Sequence, residues 1–500
     1  MGDSMSGLTG IMCVVPSRLG VGEPFSLKTK LLGPLRKVPS AGAWNTPKPG
    51  LRGPFNLNVQ RRIQFMDNCL PEWSGKLIVE DTPGLEGSRE LIFDGTSQGV
   101  YADDNRPIKS FSGFRWTEPG FHFLRVVDPE SGITGLSNPV RVTDRPPALG
   151  LYWGDPHWQT FFSDGIRCPE ELYAFAREEA FLDFGSISDH MEALTDRQWE
   201  YFQAVTDDYN EPHRFVTLHG QEWTHHLPDH GAPGHRNVYF ARAGGPALRC
   251  TDEGCNTLEE LWKVLDGLPE YDPIAIPHHS ANTVMGVDWE QGWNPKYEKA
   301  VEIYSVWGSS EKPAEQGNPR PIYALDGETA GRHVVDALDR GYRFGFVGGG
   351  DIHDGRPGDD LHNESYPPRD FRLHPQGFTA AFAPALTRRN IHQAIKTHRT
   401  YATTKCRIYL DVAEERDRSG TTLRIEAASE DGIECVCVVR NGEDVEVLEP
   451  ERDPRVVQAV WHAAEMGPGD YCYVRVVSRE GRMAWSSPVY GNSHRGAGDP

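Results

Sequence analysis

The feature that most constrains this chain is a series of short apolar runs, each followed by side chains that can bind a metal ion. Runs of about four to eight such residues bounded by turn residues are typical of buried β-strands. The runs and the polar residues after them are LYWGD with His157 and Asp164, DFGSIS with Asp189 and His190, RFVTLHGQ with Glu222, DPIAIP with His278 and His279, and RFGFVGGG with Asp351 and His353. A fold that buries these strands must also accommodate the polar groups at their ends.

Helical segments separate several of these runs. In PEELYAFAREEA, Pro169 suits a first helical turn, and Leu172, Phe175 and Ala176 recur at helical spacing. TLEELWKVLDGL precedes DPIAIP, and VVDALDRG precedes RFGFVGGG in the same way. Alternating helix and strand favours a parallel sheet or barrel, in which the carboxyl ends of the strands form one rim. We therefore predict an α/β fold in which residues 151–400 form a parallel sheet or a βα barrel.

The polar residues on that predicted rim indicate a metal centre. A single histidine at a strand end is more often structural than functional. Here five strands in series deliver His, Asp or Glu to one place. Carboxylates and imidazoles gathered there would repel and desolvate one another without a positive charge among them, and a divalent metal supplies one.

The segments on either side have the pattern of β structure. Residues 1–148 contain short alternating runs such as GEPFSLKTKLLG and GFHFLRVVD between Gly and Pro turns, which predicts an N-terminal β-sandwich-like domain. Strand patterns return after Tyr401, so residues 401–490 are predicted to form a C-terminal β-rich module. The last residues, 491–500, have the composition of a frayed tail.

Composition excludes several classes of protein. Lys and Arg number 51 against 72 Asp and Glu, a net charge of −21, whereas nucleic-acid backbones bind positive surfaces. The sequence has no run of about eighteen apolar residues, so no membrane span is predicted, and the N-terminus lacks a signal-peptide pattern. The nine cysteines form no regular framework; Cys435 and Cys437 share a predicted strand face, where they are not expected to bridge easily. We expect a cytoplasmic protein with reduced thiols and no nucleic-acid or membrane partner.

Several longer motifs resemble one known family. YWGDPHWQTFFSDG, EIYSVWGSSE and GGGDIHDGRPG, together with RTYATTKCRI and GRMAWSSPVYG near the end, are similar to the DUF3604 branch of the PHP (polymerase and histidinol phosphatase) superfamily. The resemblance covers most of the chain and implies that residues 151–400 form a distorted, TIM-like βα barrel of the PHP type with two or three divalent metals. It implies much less about the substrate.

The resemblance also implies a ligand set. One metal would take His157, Glu222 and Asp351, with Gln159 as a further candidate ligand; a second would take Glu222, His235 and His278; a third would take Asp164, His190 and His353. Glu222 would then bridge the first two metals.

Gln159 stands where the first motif of the family usually has a histidine. A neutral amide is a weaker zinc ligand than imidazole, so an amide oxygen there favours manganese or iron over zinc. The amide could instead orient a neighbouring ligand or water. Because the rest of the set is present, we interpret the centre as working and leave the metal open among manganese, iron and zinc.

The predicted activity follows from these metals. Two cations sharing a carboxylate lower the pKa of a bound water, which can then attack phosphorus. We therefore predict a metal-dependent hydrolase, a phosphoesterase acting on a small organic phosphate, with His157, Glu222, Asp351 and His353 as the catalytic group. Two alternatives stay open: a hydrolase of carboxylic esters, amides or sulfate esters, and a non-catalytic metal-binding scaffold.

Other residues are candidates for holding the substrate. Arg236 and Arg356 flank metal motifs and could clamp a phosphate, although structural ion pairs explain them equally well. Gln159 and His226 complete the predicted substrate-binding set. The SSE motif that ends at Glu311 follows another predicted strand end and could contact substrate or support a ligand. The expected partner is a small molecule, and the sequence leaves the oligomeric state open.

Overall fold

The computed structural model describes residues 7–37, 66–70, 73–95, 107–165, 167–225, 233–358, 373–417, 420–463 and 466–491. Among them, strands account for 41% and helices for 14%. No helix among the described residues has the length and apolar character needed to cross a membrane. Residues 492–500 of the predicted tail, and His226, lie outside the described residues.

The first part of the chain is built from strands alone in its described residues. These are β1 (Gly10–Val14), β2 (Arg18–Gly20), β3 (Phe25–Lys37), β4 (Met66–Cys69), β5 (Ser74–Val79), β6 (Leu85–Glu86), β7 (Glu90–Asp94), β8 (Ile108–Trp116), β9 (Gly120–His122), β10 (Arg125–Val127), β11 (Thr134–Leu136) and β12 (Val140–Thr143). They form sheets ordered β1-β3-β8-β6 with β4 beside β3, β11-β10-β5-β7, and β2-β12-β9. Leu27, Leu77, Trp116 and Val126 pack in one core shared by these sheets.

The middle of the chain mixes strands with short helices. In order these are β13 (Gly150–Trp158), α1 (Pro169–Glu178), β14 (Phe184–Ile187), α2 (Asp196–Asp208), β15 (Val216–Thr217), β16 (His219–Trp223), β17 (Arg236–Phe240), α3 (Leu258–Asp266), β18 (Ile274–Pro277), β19 (Ala300–Ser305), β20 (Gly308–Ser309), α4 (Val334–Asp339), β21 (Gly345–Gly348), β22 (Gly377–Ala383), α5 (Arg388–Lys396) and β23 (Thr400–Thr404). Helix α1 begins at Pro169, where the missing N–H has no helical partner to lose. Helix α2 begins with a capping box between Thr195 and Gln198.

The predicted βα barrel is wrong. The strands of this middle part lie in three sheets and do not close into one parallel ring. Pairing is parallel in β13-β14-β15 and β19-β21 but antiparallel in β13-β22 and throughout β16-β17-β18. Turns, bends and 3₁₀ segments fill residues 279–299 and 310–333, where the barrel would require α-helices. The described residues therefore form a mostly β protein with several sheets.

The last strands extend the largest of these sheets. They are β24 (Tyr409–Asp417), β25 (Gly420–Ala428), β26 (Ile433–Arg440), β27 (Glu443–Leu448), β28 (Val456–Ala463), β29 (Tyr471–Ser478), β30 (Met483–Ser486) and β31 (Val489–Tyr490). The sheet runs β15-β14-β13-β22-β23-β30-β29-β26-β27, with β31 beside β29, while β24-β25-β28 form a separate sheet. One hydrogen-bonded sheet therefore joins the middle of the chain to its C-terminal strands.

Glu311 reinforces this junction. Its buried carboxylate accepts hydrogen bonds from the Tyr473 hydroxyl at 2.7 Å, from Arg475 Nη1 at 2.7 Å and from Trp485 Nε1 at 2.8 Å. Trp485 also stacks on Tyr304, with ring centroids 5.6 Å apart. The SSE motif thus places a charge that holds the C-terminal strands against the middle of the protein.

Candidate metal centre

Strand ends from different sheets meet at one buried place. His157 lies near the end of β13, Glu222 lies in β16, and His278 directly follows β18. A backbone bridge between His190 and Glu222 connects the end of β14 to β16. The side chains predicted to meet on the rim of a barrel therefore meet at the ends of strands from separate sheets.

Glu222 is the hub of the cluster. Its Oε2 atom lies 3.3 Å from His157 Nε2, and its Oε1 atom lies 3.3 Å from His190 Nδ1, 2.9 Å from His235 Nδ1 and 3.4 Å from His278 Nε2. Burial alone would raise the pKa of Glu222, but the surrounding imidazoles, His190 and His278 first, bring it well below its usual value. The carboxylate is thus held ionised and can face a cation with each of its two oxygens.

His157 is held between carboxylates. Its Nε2 atom lies 3.3 Å from Asp351 Oδ1, and its Nδ1 atom lies 3.1 Å from Glu302 Oε2. Burial would lower the pKa of His157, but Asp351 and Glu302 raise it well above its usual value. A carboxylate on Nδ1 orients the ring and leaves Nε2 for a metal. Glu302 is not among the predicted site residues; its signal in the sequence is a charged residue inside the apolar run AVEIYS.

Asp351 has a support of its own. The indole Nε1 of Trp307 donates a hydrogen bond to Asp351 Oδ2, which leaves Oδ1 toward His157. The hydrogen bond from Trp307 fixes the orientation of a predicted ligand.

An outer group lies closer to solvent. Asp164 Oδ1 is 3.3 Å from His353 Nε2 and 3.7 Å from His190 Nε2, and the Asp164 and His190 side chains are 28% and 15% exposed. Burial raises the pKa of Asp164, but His353 and His190 lower it far more, so the carboxyl stays ionised. This group is therefore the more solvent-exposed part of the centre.

Asp189 stabilises the turn that carries Asp164. Its carboxylate accepts hydrogen bonds from the backbone N–H and the hydroxyl of both Thr160 and Ser163. All three side chains are buried. Asp189 follows a strand end in the sequence, yet its four bonds give it a structural role in shaping the loop.

The ligand atoms form three groups that suit divalent cations. The groups are His235, His278 and His279; His157, Glu222 and His278; and Asp164, His190 and His353, with the ligand atoms of each group within 4.8 Å of one another. His279 was noted after a strand end but was not among the predicted ligands. The first two groups share His278, and His190 of the third lies 3.3 Å from Glu222, so the structure brings the predicted histidines and carboxylates together as one centre.

Orphaned polar atoms show that a cation fits. Both ring nitrogens of His278 are buried without a hydrogen-bond partner among the described residues, and the side chain is fully buried. An unpaired buried polar group costs about 1–3 kcal/mol, and a metal bond to nitrogen removes that penalty. The mix of imidazole and carboxylate donors is the set that zinc, manganese and iron accept.

Gln159 makes contacts that define its orientation. Its amide nitrogen donates to the Ser188 carbonyl at 3.0 Å and to Glu222 Oε2 at 2.8 Å. Its oxygen lies 2.8 Å from the Ser163 hydroxyl, which shares its single proton between this oxygen and Asp189 Oδ1. A carbonyl only accepts, so the atom beside Ser188 must be the nitrogen. In this geometry Gln159 orients Glu222; metal binding through its oxygen stays a prediction.

The predicted substrate-binding arginines have other contacts. Arg236 is fully buried; its Nε lies 3.1 Å from Glu298 Oε1, and its Nη1 donates to the Pro233 carbonyl. Arg356 is 2% exposed, with its guanidinium carbon 4.9 Å from the ring centre of Phe175. Neither contact shows a group directed at a substrate, and a role in binding stays a prediction for both.

Comparisons with known proteins agree with the DUF3604 resemblance. The model of the family described as "Protein of unknown function (DUF3604)" matches residues 169–311. An uncharacterized protein of Chlamydia pneumoniae is 27% identical over 407 residues, and uncharacterized proteins of Chlamydia muridarum and Chlamydia trachomatis are each 25% identical over 403 and 402 residues. Each alignment covers 75% of this chain but 62% of the relative, so the match spans less than two thirds of those proteins.

A comparison with solved structures gives a weaker likeness. A crystal structure from Bacteroides vulgatus, of a two-domain protein containing a predicted PHP-like metal-dependent phosphoesterase, is 16% identical. The match covers 68% of this chain and 88% of that chain, with a TM-score of 0.35. A score at that level carries no structural conclusion, and membership of the PHP superfamily stays a prediction.

Proposed function

We propose that this protein is a metal-dependent hydrolase that cleaves a small phosphate ester. The observation that carries the proposal is the buried carboxylate of Glu222, with four imidazoles at 2.9 to 3.4 Å. A carboxylate that faces several ligand groups is the arrangement of a two-metal site. Divalent cations bound there would activate a water and stabilise charge on a phosphoryl oxygen.

The residues of the chain would divide the work. Glu222 would be shared between cations, and His157, oriented by Glu302, would hold one of them. His235, His278 and His279 would hold another. The buried side chains exclude bulk water, which strengthens every electrostatic interaction at the centre.

Charge balance favours a phosphate over a neutral ester. The three ligand groups contain two carboxylates, Glu222 and Asp164, and two more, Asp351 and Glu302, lie beside His157. These four negative charges are fewer than the six positive charges that three dications would bring. The occupied centre would therefore be net positive and would attract a dianionic phosphoryl group. The partly exposed group of Asp164, His190 and His353 offers the place where such a group enters.

The test uses protein purified without chelator. Elemental analysis gives the metal content. Hydrolysis rates are compared for p-nitrophenyl phosphate, bis(p-nitrophenyl) phosphate, p-nitrophenyl sulfate and p-nitrophenyl acetate, with manganese, iron or zinc added. We expect metal-dependent cleavage of a phosphate ester. Preferred cleavage of the acetate or sulfate would contradict the phosphate assignment, and no cleavage with full metal content would favour a scaffold.

Glu222→Ala tests the centre itself. Removing the shared carboxylate leaves several buried imidazoles without their partner, so metal content and rate should fall together. Glu259→Gln, on the exposed side of α3, is the control and should keep both. Full metal occupancy in Glu222→Ala would show that Glu222 is not a shared ligand.

A further inference from the structure

Two cysteines far from the metal motifs in sequence lie in sulfur contact. Cys435 and Cys437 lie on β26, and their Sγ atoms are 3.8 Å apart. Cys437 is buried, whereas Cys435 is partly exposed. The pair therefore combines close thiols with access from solvent through one of them.

The backbone permits a bond between these thiols. Residues two apart in an extended strand have Cα atoms about 6.6 Å apart, inside the upper limit of about 6.8 Å for disulfides. The register of β26 against β29 also shifts between Ile433 and Cys435, and such an irregularity bends a strand. The expectation that the pair bridges only with difficulty assumed a regular strand, and this strand is irregular beside Cys435.

The surroundings favour a reactive sulfur at Cys437. Arg475 lies opposite Cys437 on β29. The hydrogen bond from Cys435 lowers the pKa of Cys437 and burial raises it, and with Arg475 nearby the pKa comes to about 7. A thiolate, rather than a thiol, is the nucleophile in sulfur oxidation.

We propose that Cys435 and Cys437 form a redox-reactive dithiol that hydrogen peroxide oxidises to an intramolecular disulfide. The Cys437 thiolate attacks one peroxide oxygen, the O–O bond breaks, and the departing hydroxide takes a proton to become water. The Cys435 thiol then attacks the resulting sulfenic sulfur, the S–S bond forms, and a second water leaves. The two sulfurs lose two electrons, which the peroxide gains.

The sequence makes this proposal easy to test in the full-length protein. Trypsin cleaves after Arg424 and Arg440, so one peptide carries both cysteines and no other. Native protein is treated with hydrogen peroxide and then denatured in the presence of N-ethylmaleimide, which alkylates free thiols. The protein is digested with trypsin, and the peptide masses are measured by mass spectrometry. We expect the peptide to lose two hydrogen atoms, to resist the maleimide, and to accept two maleimides after reduction.

Two variants sharpen the result. Cys472→Ser removes a buried cysteine of the neighbouring strand and should behave as wild type. Cys437→Ser should leave Cys435 free to react with maleimide after peroxide. The proposal is overturned if both thiols of the wild-type peptide stay open to maleimide after peroxide, or if oxygen adds to one sulfur without a bridge.

Discussion

Gln159→Ala is the substitution that most sharply separates the two roles open to Gln159. The amide nitrogen donates to Glu222 Oε2 at 2.8 Å and to the Ser188 carbonyl at 3.0 Å. Gln159 is fully buried, so water cannot easily replace the lost donor. The variant therefore leaves the shared carboxylate less constrained without removing any imidazole.

The size of the effect follows from the bond that is lost. A hydrogen bond to a charged group contributes about 1.5–3 kcal/mol, and each 1.4 kcal/mol is about tenfold in affinity. Metal affinity should therefore fall by about 10- to 100-fold, the usual cost of removing a group that orients a ligand. Because Glu222 faces imidazoles with both oxygens, the loss should affect every metal that shares it.

The assay measures metal affinity and metal content separately. Competition with a fluorescent chelator gives the Kd, and elemental analysis at saturating metal gives the stoichiometry. An orienting role predicts a weaker Kd with unchanged stoichiometry, whereas a direct ligand predicts the loss of one metal. Gln203→Ala is the matched control, since Gln203 is also buried but bonds only backbone groups of residues 244 and 245.

Gln159→His adds a second discrimination. Imidazole is the better zinc ligand, so this variant should bind zinc more tightly than wild type and turn over more slowly. Wild-type Kd, stoichiometry and kcat in Gln159→Ala would refute the orienting role and the ligand role together.

Three further predictions concern other parts of the protein. Glu302→Gln should weaken metal binding by about 10- to 100-fold in a chelator competition, because the carboxylate at 3.1 Å from His157 Nδ1 orients that ring; an unchanged Kd would exclude this role. Glu311→Gln should lower the free energy of unfolding by about 1.5–3 kcal/mol, because the buried Arg475 loses one of its two carboxylate partners and keeps only Asp444; exposed Glu315→Gln is the control, and equal melting temperatures would contradict the prediction. Chelator treatment should lower Tm, and adding back metal at about 100 times its Kd should raise the free energy of unfolding by about 2.7 kcal/mol and so restore Tm. A Tm that neither chelator nor added metal changes would show that the centre holds no metal.

Residue identity allowed much of the candidate site to be predicted. His157, Glu222 and His278 follow or end apolar runs, and a buried strand end with a polar residue is informative because burial of that residue needs a partner. Glu302 and Trp307 could not be predicted in their supporting roles. A charge inside a strand and an aromatic beside a motif have ordinary packing explanations, and only the distances to His157 and Asp351 reveal what they do.

The barrel could not have been corrected from local patterns. A buried strand has the same apolar composition whether its neighbour runs parallel or antiparallel. Strands β16 and β17 pair antiparallel, and the chain between β18 and β19 is long enough for a helix but forms turns and 3₁₀ segments. Strand direction is decided by contacts between residues that are distant in sequence, and local sequence patterns do not contain that information.

The amide in the first motif is consistent with a working centre. A decayed centre would lose the groups that only a cation requires, yet His278 keeps two buried ring nitrogens that form no hydrogen bond among the described residues, with Nε2 3.4 Å from Glu222 Oε1. That arrangement would be costly to retain without a ligand. The amide nitrogen of Gln159 contacts Glu222, and its oxygen contacts the Ser163 hydroxyl. A substitution that kept the shared carboxylate in place, rather than replacing a ligand in kind, explains how the motif can change while the cluster of imidazoles around Glu222 stays complete.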